Sequence, residues 1–172
     1  MTGLHNAVTG ALLTMSILWG VAATANPLAA PEGPVLLRIS GDITHSNVGA
    51  EAHFDREMLE EFDKTSITTT TIWTEGVQTF TGVALVDLVE AVGAGGGDLT
   101  ATALNDYAVE VPRADASDDH ALLAFERNGK PMSIREKGPL WIVYPYDSDP
   151  KFQSEVYYSR SIWQLDRLEV TR

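Results

Sequence analysis

Cysteine is missing from the 172-residue chain. Without it there is no disulfide frame, no thiolate nucleophile, and no thiolate to hold zinc or an iron–sulfur cluster. Basic residues are scarce: 12 Lys and Arg stand against 24 Asp and Glu, a formal charge of −12. A nucleic-acid binder needs a basic face, and these few cations do not cluster, so nucleic acid is excluded as a partner. The same balance disfavours an anionic membrane surface. A comfortable bilayer span is missing too. Spanning takes about 20 apolar residues, and the longest such segment, Ala11 to Val21, falls short.

That segment lies in a stretch, residues 1–25, with no Asp, Glu, Lys or Arg. Ala23-Thr24-Ala25 places small residues at the −3 and −1 positions of a signal-peptidase site. The expectation is a Sec-type signal over 1–25 and a periplasmic mature protein without direct membrane contact; an uncleaved anchor is the alternative. No Arg-Arg pair precedes the apolar run, which disfavours the twin-arginine route. Residues 26–34, with Pro31-Glu32-Gly33-Pro34, read as a linker to one domain over 35–172.

Within that domain, Leu140 to Tyr144 is apolar and β-branched or aromatic at almost every position, the pattern of a central strand buried on both faces. Gly138-Pro139 opens it and Pro145 ends it. Tyr146 and Asp147 follow from a rigid base, a good placement for a site, although a core strand followed by a surface turn has the same pattern. Upstream, Val35 to Ser40 reads as a first strand, and Asp55 caps a short helix running to Phe62. Ser66 to Trp73 holds four consecutive threonines and reads as a strand with alternate hydroxyls turned inward. Thr74-Glu75-Gly76 is expected as a turn and Val77 to Thr81 as a short strand.

Val83 to Val92 is the clearest helix, with Leu85, Leu88, Val89 and Val92 on one stripe and glycines at its end. The Gly95-Gly96-Gly97 run lacks the spacing of a phosphate loop. Thr100–Leu104 and Tyr107–Val111 pair as a hairpin around Asn105-Asp106, and Ala121–Glu126 is a strand before an Asn128-Gly129 turn. Phe152 to Ser161 is irregular or a short helix, and the alternation over Ile162–Val170 closes the fold as a strand. This amounts to about seven or eight strands and two or three short helices, an α+β domain with a mixed sheet.

Four of these stretches, in order, resemble the oxidoreductase molybdopterin-binding domain of the sulfite oxidase family. They are Phe80-Thr81-Gly82-Val83-Ala84-Leu85-Val86-Asp87-Leu88, Asp106 to Pro112, Leu123 to Met132, and Gly138 to Pro145. The resemblance covers roughly residues 35–171 and implies a mixed-sheet, barrel-like fold. It also exposes departures. Family enzymes ligate molybdenum through a cysteine after the strand corresponding to 66–72; here that neighbourhood holds Thr70, Thr71, Ile72 and Trp73. A threonine hydroxyl does not ionise near neutral pH and is a poor substitute for a thiolate. Family positions that grip the cofactor's phosphate and an oxyanion substrate have no clear equivalents. The resemblance is therefore closest to a short, exported, cysteine-free branch that binds simple pterins (neopterin- or monapterin-like) without metal. It implies a non-catalytic sensor reporting to a membrane-bound diguanylate cyclase/phosphodiesterase in cyclic di-GMP signalling. The alternative is a small molybdopterin-dependent oxidoreductase with a non-cysteine metal site; a collapsed scaffold is a third reading.

A pterin calls for an aromatic plate and for a carboxylate to accept from its 2-amino and N3–H donors. On this reading Trp73 is the plate, Tyr146 a second wall and Asp147 the carboxylate. Arg160 or Ser159 serves the 4-oxo group, Thr69 or Thr71 a polyol side chain, and Tyr144 shares the face of Tyr146. Each has a plainer reading. Trp73 can close the core over a turn, Asp147 can cap one, and Arg160 can be a surface ion-pair partner. Trp141 and Trp163 are expected in the core. Three weaker groupings offer nothing firm: His45, His53 and Asp55 as metal ligands, Glu75 with Asp147 as an acid–base pair, and His120, which has no nucleophile elbow near it.

Overall fold

The computed structural model describes residues 28–116 and 121–172. The expected signal segment and His120 lie outside the described residues. Ten strands are present among them: β1 Leu37–Gly41, β2 Ala52–Phe54, β3 Lys64–Thr71, β4 Thr74–Ala84, β5 Leu99–Ala103, β6 Ala108–Val111, β7 Leu122–Arg127, β8 Lys130–Pro131, β9 Trp141–Val143 and β10 Leu165–Val170. Three short α-helices accompany them: α1 Arg56–Glu60, α2 Leu85–Ala91 and α3 Glu155–Arg160.

The strands form two open sheets of five rather than one barrel-like sheet, and the first of them is mixed, as expected from sequence. The first runs β2-β1-β10-β5-β6, and the second runs β3-β4-β7-β8 with β9 also paired to β7. Only β1 and β10 run parallel, with Arg38 opposite Arg167; every other pairing is antiparallel. One apolar core joins elements of both sheets. The α+β class holds.

Local sequence explains most elements. Leu85, Leu88, Val89 and Val92 are all fully buried, so the helical stripe is the core face of α2. The helix starts two residues later than expected because β4 runs on to Ala84. The β5–β6 hairpin pairs Leu99 with Val111 and Thr102 with Ala108, with Asp106 left-handed in its turn. Leu140 to Tyr144 are indeed all buried. However, only Trp141–Val143 pair, and only to β7 apart from a bridge between Trp141 and Trp163. The stretch is a short strand beside β7 rather than the centre of a sheet.

The β3–β4 hairpin departs most from expectation. Its turn is Ile72-Trp73, between the paired Thr71 and Thr74, and the expected turn at Thr74-Glu75-Gly76 lies inside β4. Between the pairs Thr69–Gln78 and Thr71–Thr74 the register shifts, with Gly76 at φ +67°. Left-handed backbone there is cheap only for glycine, so the "turn" residues make a bulge instead. The threonines do alternate: Thr69 is buried, while Thr68 and Thr70 face solvent.

Residues 28–34 are tied to the domain. Leu28 packs on the core, and the Glu32 and Gly33 N–H groups each donate to Asp55 Oδ2 at 2.7 Å. Asp55 also caps α1, accepting from the Met58 N–H at 3.0 Å. Among the described residues no helix is long and apolar enough to cross a membrane.

Candidate functional site

Three connections meet at one end of the domain: the β3–β4 turn, the β5–β6 hairpin tip and the segment from α3 into β10. Between them lies a cavity of about 500 Å³. The first contributes Ile72 and Trp73, the second Ala103, Asn105 and Tyr107, and the third Tyr158, Ser159, Ser161, Ile162 and Trp163. None of these ten side chains carries a charge. Loop tips on a rigid double sheet are where binding residues concentrate.

Trp73 is the hub. It is half-buried and meets Trp163 at 5.5 Å, Tyr158 at 5.7 Å, Trp141 at 5.8 Å and Tyr146 at 6.2 Å between ring centroids, all edge-on. Edge-to-face packing sets the positive rim of one ring against the negative face of the next and holds the cluster in one arrangement. Lys137 Nζ lies 4.2 Å over the Trp163 ring, a cation–π contact that positions the indole from outside the cavity lining.

The layer beneath is hydrogen-bonded. Tyr146, 2% exposed, donates its hydroxyl to Ser161 Oγ at 2.5 Å, and Ser161 donates to the Tyr157 carbonyl at 2.7 Å. Tyr144 donates to Asp115 Oδ2 at 2.9 Å, and Arg160 Nη1 meets the same oxygen at 3.0 Å. Burial raises both tyrosine hydroxyls above their usual range, and the Asp115 carboxylate adds to the effect at Tyr144, so both remain neutral donors.

Of the residues singled out from sequence, Trp73 and Ser159 line the cavity. Tyr146 backs Trp73 from below and is not an open second wall. Tyr144 shares its side of the fold but is fully buried, with its hydroxyl committed to Asp115. Arg160 is committed to Asp115 as well and does not line the cavity. Thr71 bonds Thr74 across the hairpin and accepts from the Trp73 N–H at 3.1 Å, fixing the turn that carries the indole. Thr69 is buried and accepts from the Asp147 N–H at 3.1 Å.

Asp147 does not line the cavity. One carboxylate oxygen accepts from the Thr70 N–H at 2.6 Å and the other from the Thr70 hydroxyl at 2.7 Å. Those bonds, the hydroxyl's first, hold its pKa below the ordinary carboxylate value. With Thr69 they form a reciprocal clamp between the end of β3 and the segment after β9, three residues from Trp73. Asp147 is thus a positioning residue for the hairpin.

Sequence reasoning missed Trp163, which was expected in the core but lines the cavity, and Asn105, Tyr107, Tyr158 and Ser161. Trp163 lies before β10, which begins only at Leu165, and is partly buried, packing on the core while also lining the cavity. Asn105 and Tyr107 were legible as a hairpin turn, but nothing local shows which cavity a turn faces. The proposed His45–His53–Asp55 grouping dissolves. His45 Nδ1 meets the Ala91 carbonyl, His53 Nε2 meets Glu51, and Asp55 caps α1. Among the described residues no three His, Asp or Glu side chains gather as metal ligands. Glu75 is not among the partners of Asp147.

Fold and cavity define a class: a two-sheet α+β domain with an aromatic-lined cavity at its loop tips. The chain belongs to the oxidoreductase molybdopterin binding domain family, whose pattern matches residues 43–170. No curated protein matches it. The residues present do not fit a molybdenum-bearing molybdopterin. With no cysteine anywhere in the chain, no thiolate can bind the metal. The hydroxyls of Thr71 and Thr74 bond each other, and no Lys or Arg lines the cavity to meet a phosphate.

Proposed function

We propose that this protein is a non-catalytic pterin-binding protein whose cavity takes a simple, phosphate-free pterin of the neopterin or monapterin kind. The observation that carries the reading is the uncharged aromatic cavity around Trp73 in a family built to hold a pterin. A flat, neutral heterobicycle matches it in polarity and shape; a phosphorylated dithiolene does not. The net charge of −12 adds long-range repulsion against an anionic cofactor.

The protein acts as a sensor in the periplasm, delivered there by a Sec-type signal over residues 1–25. It reports occupancy to a membrane-bound diguanylate cyclase/phosphodiesterase. What supports binding over turnover is the cavity lining, whose ten side chains include no Asp, Glu, His, Lys or Arg to move a proton.

The test is fluorescence titration of protein purified from its native host with a pterin panel, alongside metal analysis of the same material. Pterins fluoresce, and an adjacent indole quenches them. Saturable binding at micromolar concentration or tighter, without molybdenum, is expected. No binding to any pterin would sink the proposal, and stoichiometric molybdenum would favour the oxidoreductase alternative. In the host, Trp73→Ala should shift cyclic di-GMP in the same direction as pterin starvation.

A further inference from the structure

The cavity must read a ligand edge as well as stack its face, and its polar groups are few. Ser159 Oγ has donated its proton to the Val156 carbonyl and Ser161 Oγ has donated to Tyr157, so both hydroxyls can only accept. Among the lining side chains, only Asn105 is an amide, with a donor and an acceptor side by side on separate atoms; the Tyr107 and Tyr158 hydroxyls carry both on one oxygen, and the Trp73 and Trp163 indoles only donate.

Its orientation is also fixed. The Tyr107 backbone N–H donates to Asn105 Oδ1 at 3.2 Å. A backbone N–H can only donate, so this bond decides which end of the carboxamide is oxygen. The amide cannot flip without losing it. Oδ1 keeps a second lone pair, and Nδ2 makes no hydrogen bond among the described residues. At the exposed tip of the β5–β6 hairpin, Asn105 faces the cavity from a different element than Trp73.

We infer that Asn105 is the specificity-determining residue of this cavity, reading the ring-N1 and 2-amino edge of a 2-amino-4-oxo pterin. Nδ2 donates to ring N1, and the free lone pair of Oδ1 accepts from the 2-amino group. This rests on the pterin reading above and deepens it. The consequence is selectivity between near-identical bicycles. In lumazine the 2-amino group is an oxo group and N1 carries a hydrogen, so the donor and acceptor are exchanged along that edge. A carboxamide free to rotate would read either equally; one locked by the Tyr107 N–H favours the pterin.

Both compounds fluoresce, so one titration compares them. The full chain should bind pterin roughly tenfold or more tightly than lumazine, the size of one well-made hydrogen-bonded pair. Asn105→Ala should weaken pterin binding by about that factor and bring the ratio near one. Asn105→Asp keeps the oxygen that accepts from Tyr107, and hence the hairpin, but removes the Nδ2 donor, so it too should lose the preference. If Asn105→Asp keeps the wild-type ratio, the inference is overturned while the pterin reading stands. If the unaltered protein binds neither compound, both fall together.

Discussion

Trp73 meets four aromatic rings at 5.5–6.2 Å, so one indole couples the cavity wall to the core. Trp73→Ala should weaken quenching of a bound pterin, leaving what the Trp163 indole supplies, and also destabilise the fold by about 2 kcal/mol, below the 3–5 typical of a fully buried tryptophan because this one is half-buried. Trp73→Phe should recover most of the stability but not the quenching, and urea melts of both variants beside titrations separate the two effects. Asp55 is a purely structural counterpart. It is 1% exposed and accepts from three backbone N–H groups, two before the first strand and one at α1. Asp55→Ala removes a helix cap and strands buried donors, at an expected cost of about 2–3 kcal/mol by denaturant unfolding.

At the scale of elements, the β3–β4 hairpin delivers Trp73, and its join to β7 is tight. Gly82 lies where β4 changes register against β7. A Cβ there would collide with the Leu123 carbonyl oxygen and stand 2.7 Å from Ala124 Cα, backbone atoms that cannot swing aside. Gly82→Ala should cost about 3 kcal/mol, read as a lowered urea midpoint at unchanged slope. Gly76, also in β4, has open space around it, and its φ of +67° makes substitution strained through the backbone alone. The hairpin's outer face is a ladder of hydroxyls, Ser66 to Thr81 and Thr68 to Thr79, which suits an edge exposed to water.

For the whole molecule, acid should weaken the fold. Hydrogen bonds from the Met58 and Gly33 N–H groups hold the Asp55 pKa below the ordinary carboxylate value, and those from Thr70 do the same for Asp147. Groups depressed in this way stabilise the folded state above the unfolded pKa near 4, and that stability is lost as pH falls through the folded values. Melting followed from pH 7 to pH 2 should therefore steepen below about pH 4. Asp55→Asn should flatten that limb; an unchanged limb would assign it to other carboxylates. Pterin at about 100 times its Kd should stabilise the protein by about 2.7 kcal/mol. A chain of this size would then melt roughly 5–10 °C higher.

By itself, the sequence determined many of the local elements and one chemical exclusion. The stripe of α2, the Asn105-Asp106 and Asn128-Gly129 hairpins, the Asp55 cap and the buried run at Leu140–Tyr144 are local patterns, and local sterics and burial suffice to specify them. The missing cysteine ruled out a thiolate-held metal before any coordinates. Tertiary structure alone decided how the strands divide into two sheets, that Ile72-Trp73 is the turn, and that Trp163, Asn105 and Tyr107 face one cavity while Asp147 clamps Thr70. Those outcomes depend on register shifts and on contacts between residues far apart in the chain, such as Asp147 with Thr70 or Asp115 with Arg160. A side chain's local pattern says that it will be buried or exposed, but its partner is set by where distant strands come to rest.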